Sequence, residues 1–191
     1  MDDAYAHLPD EQLMLRYREG DGRAFEALYR RHKDGLFSFI YRQCFSAAVA
    51  AELAHDVWTN LIRARSRYQP TAKFTTYLYK LARHRLIDHH RKHAQGRAVH
   101  AANEPLPDPG RLADDRDPGP EKRAFSRQQI ERVSEQLDHL PAPQREAFLL
   151  FVEGMGVPEI AEITDAPQET ARSRLRYALA KLRTALGDDL S

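Results

Sequence analysis

The sequence predicts an all-α protein: two small helical domains joined by a flexible linker, the second carrying a helix-turn-helix. Three observations carry that expectation. Apolar residues recur at three- and four-residue steps, and no strand-like alternation of useful length appears. A stretch from 101 to 120, AANEPLPDPGRLADDRDPGP, is dominated by proline, glycine and aspartate. The C-terminal third reads as helix, paired glycines, short helix, tight turn and basic helix.

The helical pattern runs from Leu13 to about His93. Asp21-Gly22 marks a helix start, after which Phe25, Leu28, Tyr29, His32, Leu36, Phe39 and Ile40 keep helical spacing. Leu53, Val57, Leu61 and Ile62 continue the rhythm in a second helix. Pro70-Thr71 breaks the chain, and Tyr77 to His93 forms a third helix around Leu78, Leu81, Ala82, Arg85 and Leu86. The proline-rich stretch has too few apolar residues to offset its ordering entropy, so it is expected to be a tether.

Beyond it, Pro141 and Pro143 open a helix that runs to about Glu153, and Gly154 and Gly156 end it. Val157 to Ile163 forms a short helix with Ile160, Ala161 and Ile163 facing the core. Thr164-Asp165-Ala166-Pro167 makes a tight turn, with Pro167 placed where a missing N–H costs nothing. In the last helix Ala171, Leu175, Ala178, Leu182 and Leu186 line one face, while Gln168, Glu169, Arg172, Ser173, Arg176 and Arg183 lie elsewhere. That order places early residues at base edges and flanking arginines at phosphates of a major groove.

Composition narrows the class. The chain has 191 residues, 42% hydrophobic and 30% charged, which is globular rather than disordered. No apolar run approaches the ~20 residues that a membrane span requires, and the acidic, polar MDDAYAHLPDEQ start is unlike a secretory signal. Cys44 is the sole cysteine, so no internal disulfide forms and a reducing cytoplasm is expected. The formal charge is only +1, yet cations cluster. Lys80, Arg83, Arg85, Arg91, Lys92 and Arg97 face Asp88 alone, and Arg172, Arg174, Arg176, Lys181 and Arg183 face Glu169. Two separated basic segments in a near-neutral chain suggest two contacts with a polyanion.

Aromatics alternate with cations in YQPTAKFTTYLYKLARHRLIDHHRK, from Tyr68 to Lys92. Tyr68, Phe74, Tyr77 and Tyr79 could stack on unpaired bases while the cations track phosphates, although Phe74 and Leu78 are expected in the core. His89 and His93 stand four apart, but no cysteine or well-placed acid completes a metal site, so they read as a solvated cationic cluster. No phosphate-binding loop, nucleophile elbow or zinc-protease motif occurs. No metal, no cofactor and no catalysis are expected.

Both ends of the chain resemble one family, the extracytoplasmic-function (ECF) sigma factors of bacterial RNA polymerase, within the sigma-70 family. GDGRAFEALYRRHKDGLFSFIYR, from Gly20 to Arg42, is similar to the start of their domain two. KFTTYLYKLARHRLIDHHRK, from Lys73 to Lys92, resembles their promoter-melting and −10-reading segment. LPAPQREAFLLFVEGMGVPEIAEI and ETARSRLRYALAKLR resemble domain four, which reads the −35 element. The resemblance implies region 2 at 10–95, a flexible acidic linker at 96–122 and region 4 at 123–188. It implies a cytoplasmic protein that binds core polymerase at the β′ coiled coil and β flap, binds promoter DNA and leaves the chemistry to the polymerase. The −35 contacts would be Gln168, Glu169, Thr170, Arg172, Ser173, Arg174 and Arg176. The −10 contacts would be Lys73, Phe74, Thr75, Tyr77, Lys80, Arg83, His84, Arg91 and Lys92. An anti-sigma protein is a common partner in the family, though no residue specifies one.

Three positions depart from the family pattern. Arg83 is followed by His84 rather than asparagine, and Asp165 stands where the turn usually has glycine. The largest departure is in the second helix. An acidic cluster there, resembling Asp-Ala-Glu-Asp followed by Leu, docks on the β′ coiled coil; here the residues are Val49, Ala50, Ala51, Glu52 and Leu53. Two of three acids are missing, leaving Glu52, Leu53 and Asp56 as the polymerase contacts. Glu52, Asp56 and Thr59 share a helix face, and phosphorylation of Thr59 would add about −1.5 to −2 charge there. The expectation is a weak sigma factor switched on by a Ser/Thr protein kinase. The competing readings are a stand-alone helix-turn-helix transcriptional regulator, which leaves the N-terminal helices unexplained, and a helical nucleic-acid enzyme, which lacks an acidic metal cluster.

Overall fold

The structure is a computed structural model and describes residues 5–96 and 135–187. Among the described residues, seven α-helices of eight residues or more carry the two compact units. In the N-terminal unit these are α1 (Asp10–Arg18), α2 (Gly22–Cys44), α3 (Ala47–Ala64) and α4 (Phe74–Gly96), with a 3-10 turn at Arg65–Arg67. In the C-terminal unit they are α5 (Ala142–Val152), α6 (Val157–Thr164) and α7 (Gln168–Gly187), preceded by helical residues 135–138. Among the described residues there is no strand, and no helix long and apolar enough to cross a membrane. From Arg97 on, the expected linker lies outside the described residues, as does the side chain of Leu186.

The N-terminal helices start where the chain offers acceptors for orphan N–H groups. Asp21 caps α2, its Oδ1 accepting from the N–H of Arg23 at 3.0 Å and of Ala24 at 3.4 Å. Ser46 Oγ caps α3 by accepting from Val49 N–H at 3.4 Å. Between them, α2 ends on Phe45 in the left-handed region at φ 56°, unusual for a bulky side chain. The expected third helix starts at Phe74 rather than Tyr77; its first turn is held from elsewhere in the chain.

The core of this unit is made where α2, α3 and α4 meet. Leu28, Leu36, Phe39, Ile40, Val57, Leu61, Phe74, Leu78 and Tyr79 are all buried. Phe39 and Tyr79 meet edge to face at 5.1 Å, and Trp58 packs between Phe25 and Tyr29 at 5.9 and 5.1 Å. A polar clasp ties the N-terminal turn to α2. Arg31 donates to Asp10 and to the carbonyls of Tyr5, Ala6 and Leu8 at 2.6–2.8 Å, and His32 Nε2 lies 2.7 Å from the other Asp10 oxygen. Burial alone would raise the Asp10 pKa. The hydrogen bonds from His32 and Arg31 outweigh it and hold the carboxyl below its ordinary value.

In the C-terminal unit α5 packs on α7. Gly154, at φ 85°, takes the left-handed bend after α5 that a Cβ would strain. The Glu159 carboxylate reaches back to the Gly156 N–H at 2.6 Å, closing the start of α6. Asp165, at φ 48°, makes the turn into α7 in the same left-handed region, which aspartate tolerates better than most side chains. Ile160, Ala161 and Ile163 are buried, and so are Ala171, Leu175, Ala178 and Leu182 of α7.

Candidate nucleic-acid and polymerase interface

In α7 the apolar stripe that packs the helix fixes what faces out. Gln168, Glu169, Arg172 and Arg176 are exposed, with Thr170, Ser173 and Arg174 half-buried. Arg172 donates to Glu169 Oε2 at 2.7 Å, so these two present a pre-formed pair. The Ser173 hydroxyl turns to the Thr170 carbonyl at 3.0 Å. The Arg176 guanidinium lies 5.2 Å from the Tyr177 ring centre, and that ring is 54% exposed.

Lys73, just before α4, and Tyr77, Lys80, His84, Ile87 and Arg91 within it follow one another at three- and four-residue steps and fall on one side. Lys73, His84, Arg91 and Lys92 are exposed; Thr75, Tyr77, Lys80 and Arg83 are half-buried. Phe74 is fully buried, and Tyr68 and Tyr79 are buried too. Of the four aromatics singled out in the sequence, only Tyr77 is half-open, and it meets the Tyr68 ring at 5.5 Å. The Tyr68 hydroxyl is buried without a hydrogen-bond partner. Burial, reinforced by the charge of Glu11, pushes its pKa up to about 12.

The structure separates the α3 candidates, and Leu53, expected as a polymerase contact, is not on the open face because its side chain fills the core. Glu52 is exposed and Asp56 and Thr59 are half-buried, whereas Leu53 packs into the core at 6% exposure. Among the described residues no group of three or more His, Cys, Asp and Glu side chains could hold a metal; the His93 side chain is outside that set.

Two contacts on the 68–74 loop went unread in the sequence. Glu11 Oε1 accepts from Phe74 N–H at 2.7 Å, and Arg18 donates to the Tyr68 carbonyl at 3.1 Å. For the Glu11 contact the one signal is Lys73, which precedes α4 and has no side-chain acceptor with which to cap it; the Arg18 contact has none.

These faces belong to a family that comparison identifies from both ends of the chain. The sigma-70 region 2 model matches residues 28–96, and a sigma-70 region 4 model matches 130–182. The chain is 30% identical to RNA polymerase sigma factor CarQ of Myxococcus xanthus, over 92% of this chain and 96% of that one. It is 32% identical to the ECF RNA polymerase sigma factor SigD of Mycobacterium tuberculosis, over 75% of this chain and 67% of that one. Two solved structures share its fold. CnrH in complex with the cytosolic domain of CnrY gives a TM-score of 0.64 at 21% identity, covering 94% of this chain and 98% of that one. RpoE in complex with the anti-sigma factor NepR from Bartonella quintana gives 0.69 at 18%, covering 86% and 98%. The chain belongs to the ECF group of the sigma-70 family and is a promoter-specific transcription initiation factor rather than an enzyme.

Proposed function

We propose that this sigma factor works in the cytoplasm and docks weakly on core polymerase until a Ser/Thr kinase phosphorylates Thr59. The observation that carries the reading is the outer face of α3. Glu52, Asp56 and Thr59 share it, while Val49 and Ala51 occupy the positions of two docking acids. Each charge pair across such an interface is worth ~1 kcal/mol or more when partly desolvated. A phosphate's charge of about −1.5 to −2 therefore matches the deficit in amount, about two to three helix turns further along α3 on the face of Glu52 and Asp56.

In this reading residues 10–95 bind the β′ coiled coil and capture the −10 element. Residues 123–188 read the −35 element and meet the β flap, and 96–122 tether the two. Lys73, Thr75, Tyr77, Lys80, Arg83, His84, Arg91 and Lys92 form the −10 surface. Gln168, Glu169, Thr170, Arg172, Ser173, Arg174 and Arg176 form the −35 surface. Buried Phe74 and Leu53 act by holding α4 and α3 in place. RpoE, of similar fold, is seen with an anti-sigma factor, and the same class of partner is proposed here. Arg176→Ala is expected to weaken duplex promoter binding by the holoenzyme and reduce the slope of log affinity against log salt by about 1; unchanged affinity across the salt series contradicts a phosphate contact.

Binding of the purified chain to core polymerase tests the switch. Wild type and Thr59→Ala should bind weakly, and kinase-phosphorylated wild type should bind at least about tenfold more tightly, the equivalent of ~1.4 kcal/mol. Thr59→Glu, with a single charge, should fall between. Equal affinity for phosphorylated and unphosphorylated protein overturns it.

A further inference from the structure

Helix α1 lies ahead of the segment that the region 2 model matches, which starts at residue 28, and it bears none of the proposed DNA or polymerase contacts. It nevertheless grips both ends of the loop between α3 and α4. Glu11 holds the Phe74 N–H at 2.7 Å and Arg18 holds the Tyr68 carbonyl at 3.1 Å. The two side chains are seven residues apart and so share one face of α1.

Between the grips runs Gln69-Pro70-Thr71-Ala72-Lys73, exposed at every position except half-buried Ala72. Thr71 N–H donates to the Gln69 carbonyl at 2.9 Å, pinching the loop into a three-residue turn over Pro70. Its stems are anchored as well: the Tyr68 ring on Tyr77, and the Phe74 ring 5.4 Å from His32, which Asp10 holds. The result is a solvent-facing polar crown on a fixed base.

The Glu11 contact also answers a local deficiency. The first N–H groups of a helix need acceptors from outside it, and Lys73 offers only donors. A carboxylate from 63 residues away takes that place, at the positive end of the helix dipole. The buried Phe74, Leu78 and Tyr79 hold α4 to the core. The two α1 contacts, both only part-buried, set the position of the loop and of the first α4 turn.

We propose that Glu11 and Arg18 are positioning residues for promoter opening: they hold the 69–73 loop and the first turn of α4 in the geometry that receives the unpaired −10 strand. This rests on the reading of Lys73 and Tyr77 as −10 contacts. A receptor held in its bound shape loses less ordering entropy on binding, so loosening either grip weakens strand capture without touching the DNA.

The test uses holoenzyme assembled with the full chain at saturating concentration. A promoter is first selected by wild-type holoenzyme from a random-sequence duplex pool. The probe is the fluorescent non-template strand spanning its −10 element, and permanganate reactivity of the intact duplex reports opening. Glu11→Ala and Arg18→Ala should bind core polymerase and the −35 duplex as wild type does. They should lose about tenfold in affinity for the single strand, the scale of one charge-assisted hydrogen bond, and show fewer reactive thymines. Glu11→Gln, which keeps an oxygen acceptor, should recover most of the loss. Arg18→Ala, on the exposed last turn of α1, gives the same readout where Glu11→Ala fails to fold.

Wild-type strand capture by both alanine variants, with Lys73→Ala and Tyr77→Ala impaired, overturns the inference and leaves the −10 reading standing. Unimpaired Lys73→Ala and Tyr77→Ala overturn that reading, and the inference with it. Core binding that falls in parallel with strand capture makes Glu11 and Arg18 general stabilisers and also overturns it.

Discussion

Converting Val49 to Asp and Ala51 to Glu together should tighten docking on core polymerase by about one to two orders of magnitude and make it indifferent to Thr59. Two added pairs at ~1 kcal/mol or more each amount to roughly 2–3 kcal/mol, and ~1.4 kcal/mol is tenfold. The sites accept the change. Val49 is half-buried in the first turn of α3, where Ser46 caps its N–H, and Ala51 is exposed at the start of the second. An acid so near the helix N-terminus is favoured by the dipole, so the fold should hold. Adding Thr59→Ala to the pair should then cost nothing, whereas kinase treatment of the wild-type chain should reproduce much of the gain. An unchanged dissociation constant for Val49→Asp/Ala51→Glu would show that docking runs through another surface.

Phe39→Ala should destabilise the N-terminal unit by about 3–5 kcal/mol, the usual cost of emptying a buried aromatic site. Phe39 is 1% exposed and meets Tyr79, also 1% exposed, edge to face at 5.1 Å. The truncation therefore removes a ring from where α2 and α4 meet, and the neighbours cannot close the gap without shifting a helix. Against a typical total of 5–15 kcal/mol, the melting temperature of this unit should fall by more than about 10 °C. Calorimetry of the full chain checks it, and a loss of one or two degrees would contradict the packing described. Phe39→Leu should retain more than half of the stability, because it keeps most of the buried volume.

Where structure depends on neighbours in sequence, the sequence was legible. The C-terminal helices begin and end where Pro141, Gly154, Gly156 and Pro167 place them, because each acts through its own backbone. Asp21 capped the helix it was expected to start, for the same local reason. Aromatic spacing was less informative. Tyr68, Phe74 and Tyr79 share a segment with Tyr77, and only packing against α2 and the loop decides which rings are buried. Contacts between distant residues left almost no pattern: Lys73 shows that α4 lacks a local cap, not which residue supplies one. Nothing near Phe74 in sequence points to Glu11, and nothing near Tyr68 points to Arg18. The candidate DNA and polymerase residues were named from helix faces and family resemblance, and the structure separates the open ones from Phe74 and Leu53, which are buried.

Run-off transcription from the selected promoter, with core polymerase and kinase-phosphorylated chain each present or omitted, tests the central claim most directly. Transcripts from one defined start should appear only when both are present, and should fall sharply when the chain is unphosphorylated or carries Thr59→Ala. Promoter binding by the chain without polymerase, and start-site use that does not depend on adding the chain, would contradict the account and point to a stand-alone DNA-binding regulator.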